Sequence, residues 1–286
     1  MNNYLRRLFC CTSSNNMVIS PDRKSSNIIA RGANGVVSKE LIDGKLYALK
    51  KFDTRNIYNK EVRILKKLKN TSHLQKYKFS NDEKMTIYSE FLPGQDLYFY
   101  IQNNSHIKNN KLHNQKNIVN NETIKKITKQ IILGLEELNK FGFVHLDLKL
   151  ENVIVDKYLN TTIIDFDTSQ YLFKNTSLNV LLRFIGTTNY AAPEIYQKYY
   201  TSKSDIWSLA VIIWILKTGN YPYILYKDVG YVVEIRKVCD LGIQSFNNIE
   251  IVNDCEIFMD LIDNMFKEIS QERYSLEEIK MHPFLN

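Results

Sequence analysis

The chain has few of the residues that build disulfide frameworks or zinc sites. Among its 286 residues are four cysteines and five histidines. The cysteines, Cys10, Cys11, Cys239 and Cys255, lack the spacing of metal ligands, and the histidines lie far apart. The sequence therefore favours reduced, mostly structural thiols, as in a cytoplasmic or nuclear protein.

Long apolar runs are also lacking. Residues 1–17 contain no continuous apolar segment of the secretory type, which predicts a protein that is not secreted. The longest apolar-rich run, residues 206–216, predicts a buried helix because it is too short to cross a bilayer. Asn2 stands where N-myristoylation requires glycine, so we do not expect that modification. An acylated N-terminus at Cys10 and Cys11 is a weaker alternative to a tail with two unmodified thiols.

The composition is that of an ordinary folded domain with an excess of positive charge. Apolar residues make up 44% of the chain and charged residues 24%, and the length suffices for one large domain or two lobes. The formal net charge of +7 favours contact with something acidic. Because the lysines and arginines are spread along the chain, nucleic-acid binding is only a second, weaker interpretation.

The apolar pattern divides the chain into a tail, a strand-rich segment and a helical segment. Residues 1–26 are polar and without periodicity, which predicts a disordered tail. Residues 27–91 favour strands with one helix near 61–68, and residues 92–286 favour helices. An Asn-, Lys- and His-rich tract at about 102–121 predicts a solvated insertion loop. The helices predicted for the last segment are residues 96–102, 122–140, 205–217 and 255–267.

One short motif carries most of the chemical information. The sequence H-L-D-L-K-L-E-N over residues 145–152 places an Asp, a Lys and an Asn at spacings of two and three residues. A proton-accepting carboxylate, a cation that steadies a transferred phosphoryl group and a metal-binding amide fit this order. The motif resembles the catalytic loop H-R-D-L-x-x-x-N of eukaryotic-type protein kinases, with Leu146 in place of the arginine.

The resemblance implies a role for each polar residue of this loop. Asp147 would be the base that orients the acceptor hydroxyl, Lys149 would neutralise the γ-phosphate of ATP, and Asn152 would bind one Mg²⁺. A lysine two residues after the aspartate is similar to serine/threonine kinases, so the implied partner is a protein substrate with a Ser or Thr acceptor. His145 is expected to pack rather than to catalyse. Glu151 could meet a basic substrate residue, although a solvated surface position is the simpler interpretation.

An upstream segment resembles the glycine-rich loop that covers the nucleotide phosphates. In R-G-A-N-G-V-V over residues 31–37, Gly32 and Gly35 would let backbone amides approach phosphate oxygens. Ala30 occupies the position of the family's first glycine. Taken alone, two glycines before a strand more often indicate a plain hairpin, and the next strand decides in favour of the phosphate loop.

That next strand contains Y-A-L-K over residues 47–50, which resembles V-A-I-K. It implies that Lys50 contacts the α- and β-phosphates, and that Ala48 and Val37 form an apolar roof over the adenine. A plain surface lysine at a strand end is the alternative. Glu61 would open the following helix and pair with Lys50. Their separation is shorter than usual in the family, which predicts a truncated helix or a short preceding loop.

The segment S-E-F-L-P-G-Q-D over residues 89–96 resembles the hinge between the two lobes of a kinase. The backbone of Glu90 and Leu92 would hydrogen-bond the adenine. Asp96 would accept from the ribose hydroxyls, although it is equally suited to cap the helix that follows. Ile154 completes the implied ATP-binding set.

The implied metal-binding segment departs from the family by one residue. T-T-I-I-D-F-D over residues 161–167 resembles a strand that ends in D-F-G, with Asp167 in place of the glycine. Asp165 would hold the Mg²⁺ that bridges the β- and γ-phosphates. Asp167 is expected to cap the next turn or tolerate an unusual φ, and to restrict flipping of this segment.

A later segment matches the family pattern throughout. G-T-T-N-Y-A-A-P-E over residues 186–194 corresponds to G-T-x-x-Y-x-A-P-E of the substrate-docking loop. The resemblance implies that Thr187 hydrogen-bonds the aspartate and lysine of the catalytic loop. It also implies a buried pair between Glu194 and Arg273, and an Asp205 that braces the catalytic loop from below.

Together these segments imply a protein kinase domain over residues 27–286. Its fold would be α+β and two-lobed, with a small antiparallel sheet carrying one helix and a larger, mainly helical lobe. Its implied activity is ATP- and Mg²⁺-dependent phosphorylation of protein Ser or Thr. The alternative is a pseudokinase scaffold that binds partners without catalysis. Ala30, Leu146 and Asp167 favour that alternative, but none of them replaces a metal ligand, the base or the phosphate-binding lysine.

Overall fold

The structure is a computed structural model that describes residues 27–32, 34–104, 119–173, 179–222 and 249–286, with the backbone alone for 249–255. The predicted tail, most of the predicted insertion loop and the thiols of all four cysteines lie outside the described part. The described residues form two compact units. The first comprises residues up to 66 together with 77–91, and the second comprises 67–76 and 92–286.

The first unit is built on a five-stranded sheet in the order β1-β2-β3-β5-β4, in which all neighbouring strands are antiparallel. Turns at Gly32–Gly35 and Ile42–Lys45 join the first three strands into a meander. Strand β4 was not predicted, because its side chains are partly or fully exposed and give no apolar alternation. The strands are β1 (Ile28–Gly32), β2 (Gly35–Ile42), β3 (Lys45–Phe52), β4 (Tyr77–Asn81) and β5 (Thr86–Glu90).

Helix α1 (Arg55–Lys67) follows β3 after only two residues. Its buried face is formed by Tyr58, Glu61, Val62, Ile64 and Leu65, at the spacings that line one side of a helix. The prediction that Glu61 opens this helix was wrong, since Glu61 lies in its second turn. The short separation of Lys50 and Glu61 therefore comes from the short connection, and the helix itself is 13 residues long.

The second unit is mainly helical and is centred on α5, whose side chains are almost all buried. Because that helix is apolar on every side, it has to lie inside the core, as predicted for residues 206–216. Gly219 ends it with a left-handed φ of 73°. The helices are α2 (Leu97–Asn104), α3 (Asn121–Lys140), α4 (Pro193–Tyr196), α5 (Ser204–Thr218), α6 (Ile249–Met265) and α7 (Leu276–Met281).

Short strands place the polar loops of the second unit. One three-stranded sheet has the order β6-β8-β9, and two pairs join β7 to β10 and β11 to β12. None of these pieces was predicted except β9, because two or three residues carry no measurable periodicity. They are β6 (Gln95–Asp96), β7 (Phe143–Val144), β8 (Val153–Val155), β9 (Thr161–Ile163), β10 (Gln170–Tyr171), β11 (Asn179–Val180) and β12 (Tyr199–Tyr200).

Several predicted boundaries need correction. Asp96 belongs to β6 and does not begin the helix, while α2 continues to Asn104, so residues 102–104 are helical rather than part of an insertion loop. Residues 67–76, predicted in the small lobe, group with the second unit. Within the described ranges, no helix combines the length and apolar character needed to cross a lipid bilayer. The predicted α+β architecture, a small antiparallel sheet with one helix followed by a mainly helical unit, is confirmed.

Candidate active site

The first unit holds a buried ion pair at the predicted lysine. Lys50 lies in the middle of β3, and its Nζ is 2.8 Å from Oε2 of Glu61 on α1. The Glu61 carboxylate is almost fully buried, and the Lys50 ammonium also lies 4.8 Å from the centre of the Phe52 ring. A lysine held in this way has one position, which is what phosphate binding by a point charge requires. The predicted pairing of Lys50 with Glu61 is present.

Val37, Ala48 and Lys50 share one face of the sheet. Val37 lies directly opposite Lys50 in the β2–β3 register, and Ala48 is two residues from Lys50 on the same strand. All three are only partly buried, so this face has room for a ligand. The structure thus brings together the three strand residues that were predicted to bind ATP.

The local backbone explains the two glycines at the turn between β1 and β2. Gly32 and Gly35 are paired across the turn between β1 and β2. Gly35 has a φ of 151°, and a Cβ there would lie 2.0 Å from the carbonyl oxygen of Lys51. Glycine is therefore required at residue 35 by the neighbouring strand, whether or not a phosphate binds.

In the second unit, Asp205 holds the start of the catalytic loop. Its carboxylate accepts hydrogen bonds from the backbone N–H of His145 (2.7 Å) and of Leu146 (2.8 Å). Leu146 has a φ of 65°, in the left-handed region that leucine rarely adopts, and the two bonds offset the cost of that conformation. Burial raises the pKa of Asp205, although both backbone bonds favour its charged form. Asp205 braces the loop as predicted.

His145 is structural. Its side chain is fully buried, Nε2 lies 3.1 Å from the carbonyl oxygen of Ile164, and Nδ1 accepts from the N–H of Asp147 at 3.3 Å. Its ring also packs 5.3 Å from that of Phe166. The imidazole therefore ties the catalytic loop to the segment that contains Asp165.

Asp147, Lys149 and Thr187 form a network of three side chains. The hydroxyl of Thr187 donates to Oδ1 of Asp147 at 2.7 Å, and Nζ of Lys149 lies 3.0 Å from Oδ2. Lys149 also donates to the Thr187 hydroxyl at 3.0 Å. The two hydrogen bonds predicted for Thr187 are thus present. They fix the carboxylate of Asp147 from two sides.

Electrostatics keep Lys149 charged. Its burial acts to lower the pKa, but the carboxylates of Asp147 and Glu151 outweigh burial and hold the pKa of Lys149 above its ordinary value. Burial raises the pKa of Glu151, while the nearby Lys149 partly opposes that rise. One carboxylate oxygen of Glu151 is buried and has no hydrogen-bond partner among the described residues.

Asn152 presents an acceptor oxygen that the described residues leave unpaired. Its amide nitrogen donates to the carbonyl oxygen of Asp147 at 2.8 Å, which fixes the side chain. Its Oδ1 is buried and finds no partner in the described part of the chain. A buried amide oxygen held in this way is a ligand that Mg²⁺ accepts, so the residue fits the implied metal.

Asp165 follows β9 in a left-handed conformation with a φ of 68°. The N–H of Ile164 donates to the carbonyl oxygen of Asn152 at 3.0 Å, and the N–H of Asp165 donates to Oε1 of Gln75 at 3.1 Å. Asp165 is thus held by its own backbone bond to Gln75, and it directly follows Ile164, whose backbone is bonded to Asn152. The contact of Gln75 was not predicted, because Gln75 lies 90 positions from Asp165 and belongs to no motif.

Of the two alternatives predicted for Asp167, a turn cap or an unusual φ, the structure does not show the second. The left-handed conformation falls on Asp165, and Asp167 is not among the described residues with a positive φ. Replacing glycine by aspartate at residue 167 therefore adds no strain of that kind.

The structure supports the capping alternative for Asp96. Its Oδ1 accepts from the N–H of Phe99 at 2.8 Å, in the first turn of α2. Burial raises the pKa of Asp96 to about 6. Asp96 lies directly opposite Ile154 in the β6–β8 register, so two predicted ligand residues of this unit are neighbours.

The two predicted hinge residues fall at the join of the two units. Glu90 ends β5, and its carboxylate lies 2.9 Å from Nζ of Lys78. Leu92 is the first residue after the join and is partly buried. Adenine recognition by the backbone of these residues stays a prediction.

A buried ion pair anchors the docking segment, as predicted. Arg273 binds Glu194 with two bonds, 2.7 Å from Nη1 to Oε1 and 2.6 Å from Nη2 to Oε2, and both side chains are almost fully buried. The hydroxyl of Ser204 also donates to Glu194 at 2.7 Å. The planar guanidinium suits such two-point binding of a carboxylate. The bond from Ser204 to Glu194 was not predicted, because a serine at the start of a helix is typical of a helix cap.

Comparison with known families agrees with this geometry. The family model described as "Protein kinase domain" matches residues 23–285. The chain belongs to the protein kinase family. Several of the relatives that it matches are named as serine/threonine-protein kinases.

Three relatives illustrate the similarity. "Probable serine/threonine-protein kinase MARK-B" of Dictyostelium discoideum is 29% identical over 260 residues, 87% of this chain and 34% of that protein. "Serine/threonine-protein kinase cds1" of Schizosaccharomyces pombe is 27% identical over 269 residues, covering 86% and 54%. "Calcium-dependent protein kinase 31" of Arabidopsis thaliana is 26% identical over 273 residues, covering 90% and 53%. The kinase domain thus spans only part of the length of these proteins.

Proposed function

We propose that this kinase domain is catalytically active and transfers the γ-phosphoryl group of ATP, with Mg²⁺, to serine or threonine hydroxyls of protein substrates. The observation that carries the proposal is the network at Asp147, in which Thr187 and Lys149 hold opposite oxygens of one carboxylate. A scaffold has no need of a base held in this way. The enzyme would work in the cytoplasm or nucleus, where reduced thiols are the rule.

Asp147 would orient the acceptor hydroxyl and take its proton. Positioned proton transfer of this kind contributes typically about 10²–10⁴-fold to a rate, and it requires a base within hydrogen-bond reach of the reacting proton. The bonds from Thr187 and Lys149 restrict the carboxylate to one orientation before substrate arrives. Such prior positioning supplies much of the catalysis in phosphoryl transfer.

Lys149 would balance the negative charge of the transferred group. Its raised pKa means that it stays protonated through the neutral range, so the charge is present whenever substrate binds. Lys50, held by Glu61, would make the corresponding contact with the other phosphates. Fixed charges are effective here because they need no reorganisation during the reaction.

Asn152 and Asp165 would hold Mg²⁺. The bound ion would supply positive charge against the phosphate oxygens. The residues fit because Asn152 offers a buried amide oxygen without a partner among the described residues, and Asp165 offers a carboxylate. The N–H of Ile164, the residue before Asp165, donates to the carbonyl oxygen of Asn152. Both oxygen types are ligands that this ion prefers.

The three altered motif positions give the pseudokinase alternative little support. Ala30 is buried in β1 and is not among the described residues with a positive φ. Leu146 keeps the backbone bonds that Asp205 makes to the loop. Asp167 has no positive φ and so costs nothing in backbone strain. None of these changes removes a group that the proposed reaction uses.

The proposal is tested by transfer of labelled phosphate from ATP-Mg²⁺ to a degenerate peptide library. Asp147→Asn should abolish transfer, because the amide cannot accept the proton. Asp43→Asn is the matched control, since Asp43 is exposed in the β2–β3 turn and the same atom change there should leave the rate unaltered. Thr187→Ser should keep most activity and Thr187→Val should not, because only serine retains the hydroxyl. A wild-type rate no higher than that of Asp147→Asn would establish the scaffold instead.

A further inference from the structure

The stretch that leads into the docking segment buries little apolar surface. The docking segment is residues 186–194, and the described stretch before it is residues 179–185. Leu181 is the one buried residue of that stretch, whereas Val180 is 68% exposed and Leu182 is 99% exposed. A segment with so few buried apolar contacts opens at little cost in free energy. Its position therefore depends on directional bonds to neighbouring parts of the chain.

The first of these bonds come from the main chain just after helix α4. Strands β11 and β12 pair, with Val180 opposite Tyr199. The N–H of Leu181 then donates to the carbonyl oxygen of Lys198 at 2.7 Å. Together these contacts align the stretch before the docking segment along β12.

Tyr196, the last residue of α4, holds the docking segment itself. Its hydroxyl donates to the carbonyl oxygen of Thr188 at 2.8 Å, and its ring packs against that of Phe184 with 5.1 Å between the centres. Burial raises the pKa of Tyr196 to about 12, so the hydroxyl keeps its proton at neutral pH and stays a donor. One side chain thus contacts the chain on both sides of Gly186.

Tyr200 bonds to β10, the strand before this stretch. Its side chain is almost fully buried, and its hydroxyl donates to the carbonyl oxygen of Tyr171 at 2.7 Å. Burial raises the pKa of Tyr200, so this hydroxyl also stays a donor. Strand β12 is thereby bonded to both β10 and β11. Tyr199 differs from its neighbour, because its hydroxyl has no hydrogen-bond partner within the described part of the chain.

The position of Thr188 matters because its neighbour Thr187 contacts the proposed base. The Thr187 hydroxyl donates to Asp147 at 2.7 Å, one residue from the carbonyl that Tyr196 holds. Small displacements of positioning groups are enough to lower the efficiency of an enzyme. The side chain of Leu146 carries no charge, so the catalytic loop cannot hold the docking segment through a phosphate bound at that residue.

We propose that Tyr196 and Tyr200 are positioning residues for the proposed phosphotransfer: through Thr188 and Tyr171 they hold the docking segment in the conformation that binds the acceptor peptide. Both act on the main chain, and neither contacts the reacting atoms. The two bonds need no phosphate on the segment, since a tyrosine hydroxyl and a backbone carbonyl are always present. The effect on the rate rests on the proposed function, whereas the effect on the conformation of the segment does not.

Steady-state kinetics with the full chain test the effect on the reaction. Tyr196→Phe removes one hydroxyl and keeps the ring on Phe184, so it should raise the KM for an acceptor peptide and lower kcat/KM about fivefold, as expected for one hydrogen bond. The KM for ATP should stay unchanged. Tyr200→Phe should act in the same direction. Tyr199→Phe is the matched control, because the same atom is removed from a hydroxyl that makes no such bond.

Hydrogen exchange, followed by mass spectrometry without ATP or peptide, tests the positioning itself. The N–H groups of Leu181 and Tyr190 donate to backbone carbonyls, so their protection depends on the conformation of this part of the chain. Tyr196→Phe and Tyr200→Phe should speed exchange in peptides that contain these amides, while Tyr199→Phe should not. Exchange in strand β5 of the first unit should be the same in all variants. If the wild type transfers no phosphate, the proposed function fails and exchange alone decides the inference.

Three exchange results would overturn the proposal. They are unchanged exchange in Tyr196→Phe and Tyr200→Phe, equal acceleration in Tyr199→Phe, and acceleration that extends to β5, which would indicate only a general loss of stability. In an active enzyme, an unchanged KM for the peptide, or a parallel rise in the KM for ATP, would overturn it as well.

Discussion

At the scale of single residues, Leu146 shows how a loop can keep its geometry and lose a charge. Kinases of the family often carry arginine there, which pairs with a phosphate on the activation segment. In this chain the position is a buried leucine, although the backbone N–H still donates to Asp205 at 2.8 Å. The bond that positions the loop depends on the main chain, so it survives the change of side chain.

This substitution predicts how the activity is controlled. A leucine cannot form a charge-assisted bond with a phosphate, so the rate should not depend on a phosphate docked beside Asp147. Treatment of the purified protein with a broad-specificity phosphatase should leave the phosphotransfer rate unchanged. Complete removal of phosphate is verified by mass spectrometry. A large fall in rate after treatment would contradict the prediction.

Asp96 gives a second prediction at this scale. Burial raises its pKa to about 6 in the folded protein, whereas an exposed aspartate has a value near 3.8. The folded state thus binds this proton more tightly than the unfolded state, so the contribution of Asp96 to stability falls as the pH rises from about 4 to 6. Asp96→Asn keeps a capping side chain without the charge.

The difference between the two proteins isolates this effect from other titrating groups. Relative to the wild type, Asp96→Asn should be more stable at neutral pH, and the advantage should vanish near pH 4. Urea unfolding at both pH values measures it. Equal differences at the two pH values would show that the Asp96 charge is not buried in the folded state.

At the scale of elements, the β1–β2 turn depends on one glycine. Gly35 has a φ of 151°, and a Cβ would lie 2.0 Å from the Lys51 carbonyl oxygen. Gly35→Ala should therefore destabilise the protein by more than about 1–3 kcal/mol, which is the cost of backbone strain alone.

Gly44→Ala is the matched control for that prediction. Gly44 has a φ of 73°, but nothing lies within 4 Å of a Cβ placed there, so only strain of about 1–2 kcal/mol applies. The free energies of unfolding of both variants should differ clearly, with Gly35→Ala the less stable. Equal losses would mean that the neighbouring strand yields to the new methyl group.

At the scale of the whole molecule, distant segments of the second unit meet at one buried ion pair. Arg273 lies near the end of the chain, 79 residues from Glu194, yet the two share paired bonds of 2.6 and 2.7 Å. Arg273 also contacts the ring of Trp207 in α5 at 5.2 Å. The pair therefore connects the docking segment to the central helix and to the last described residues.

Removing one partner of this pair should cost more than removing both. Arg273→Met leaves Glu194 buried without its counter-charge and should destabilise the protein by about 3–5 kcal/mol. The double variant Glu194→Gln/Arg273→Met leaves no uncompensated charge and should lose less. Thermal unfolding of both variants and the wild type checks this order. A double variant that loses as much stability as Arg273→Met, or more, would argue against coupling.

The candidate catalytic and metal-binding residues could be predicted from the sequence, because each lies in a short contiguous motif whose order along the chain is itself informative. Asp147, Lys149 and Asn152 fall within six residues, so their proximity follows from covalent spacing. Lys50 and Glu61 were paired correctly for a similar reason, since one lies on a strand and the other on the helix that follows it directly. The buried helix α5 was also predictable, because its apolar run is too short to cross a bilayer and so has to lie in the core.

The tertiary structure alone decided which groups are held and which remain unpaired. Gln75 on the backbone of Asp165, Ser204 on Glu194 and the position of Glu61 within α1 all depend on packing between segments remote in sequence. The helix start at Arg55 and the strand β4 were missed because exposed polar residues give no periodic pattern. Such contacts form only once the segments have packed together, so no local pattern of residues along the chain predicts them.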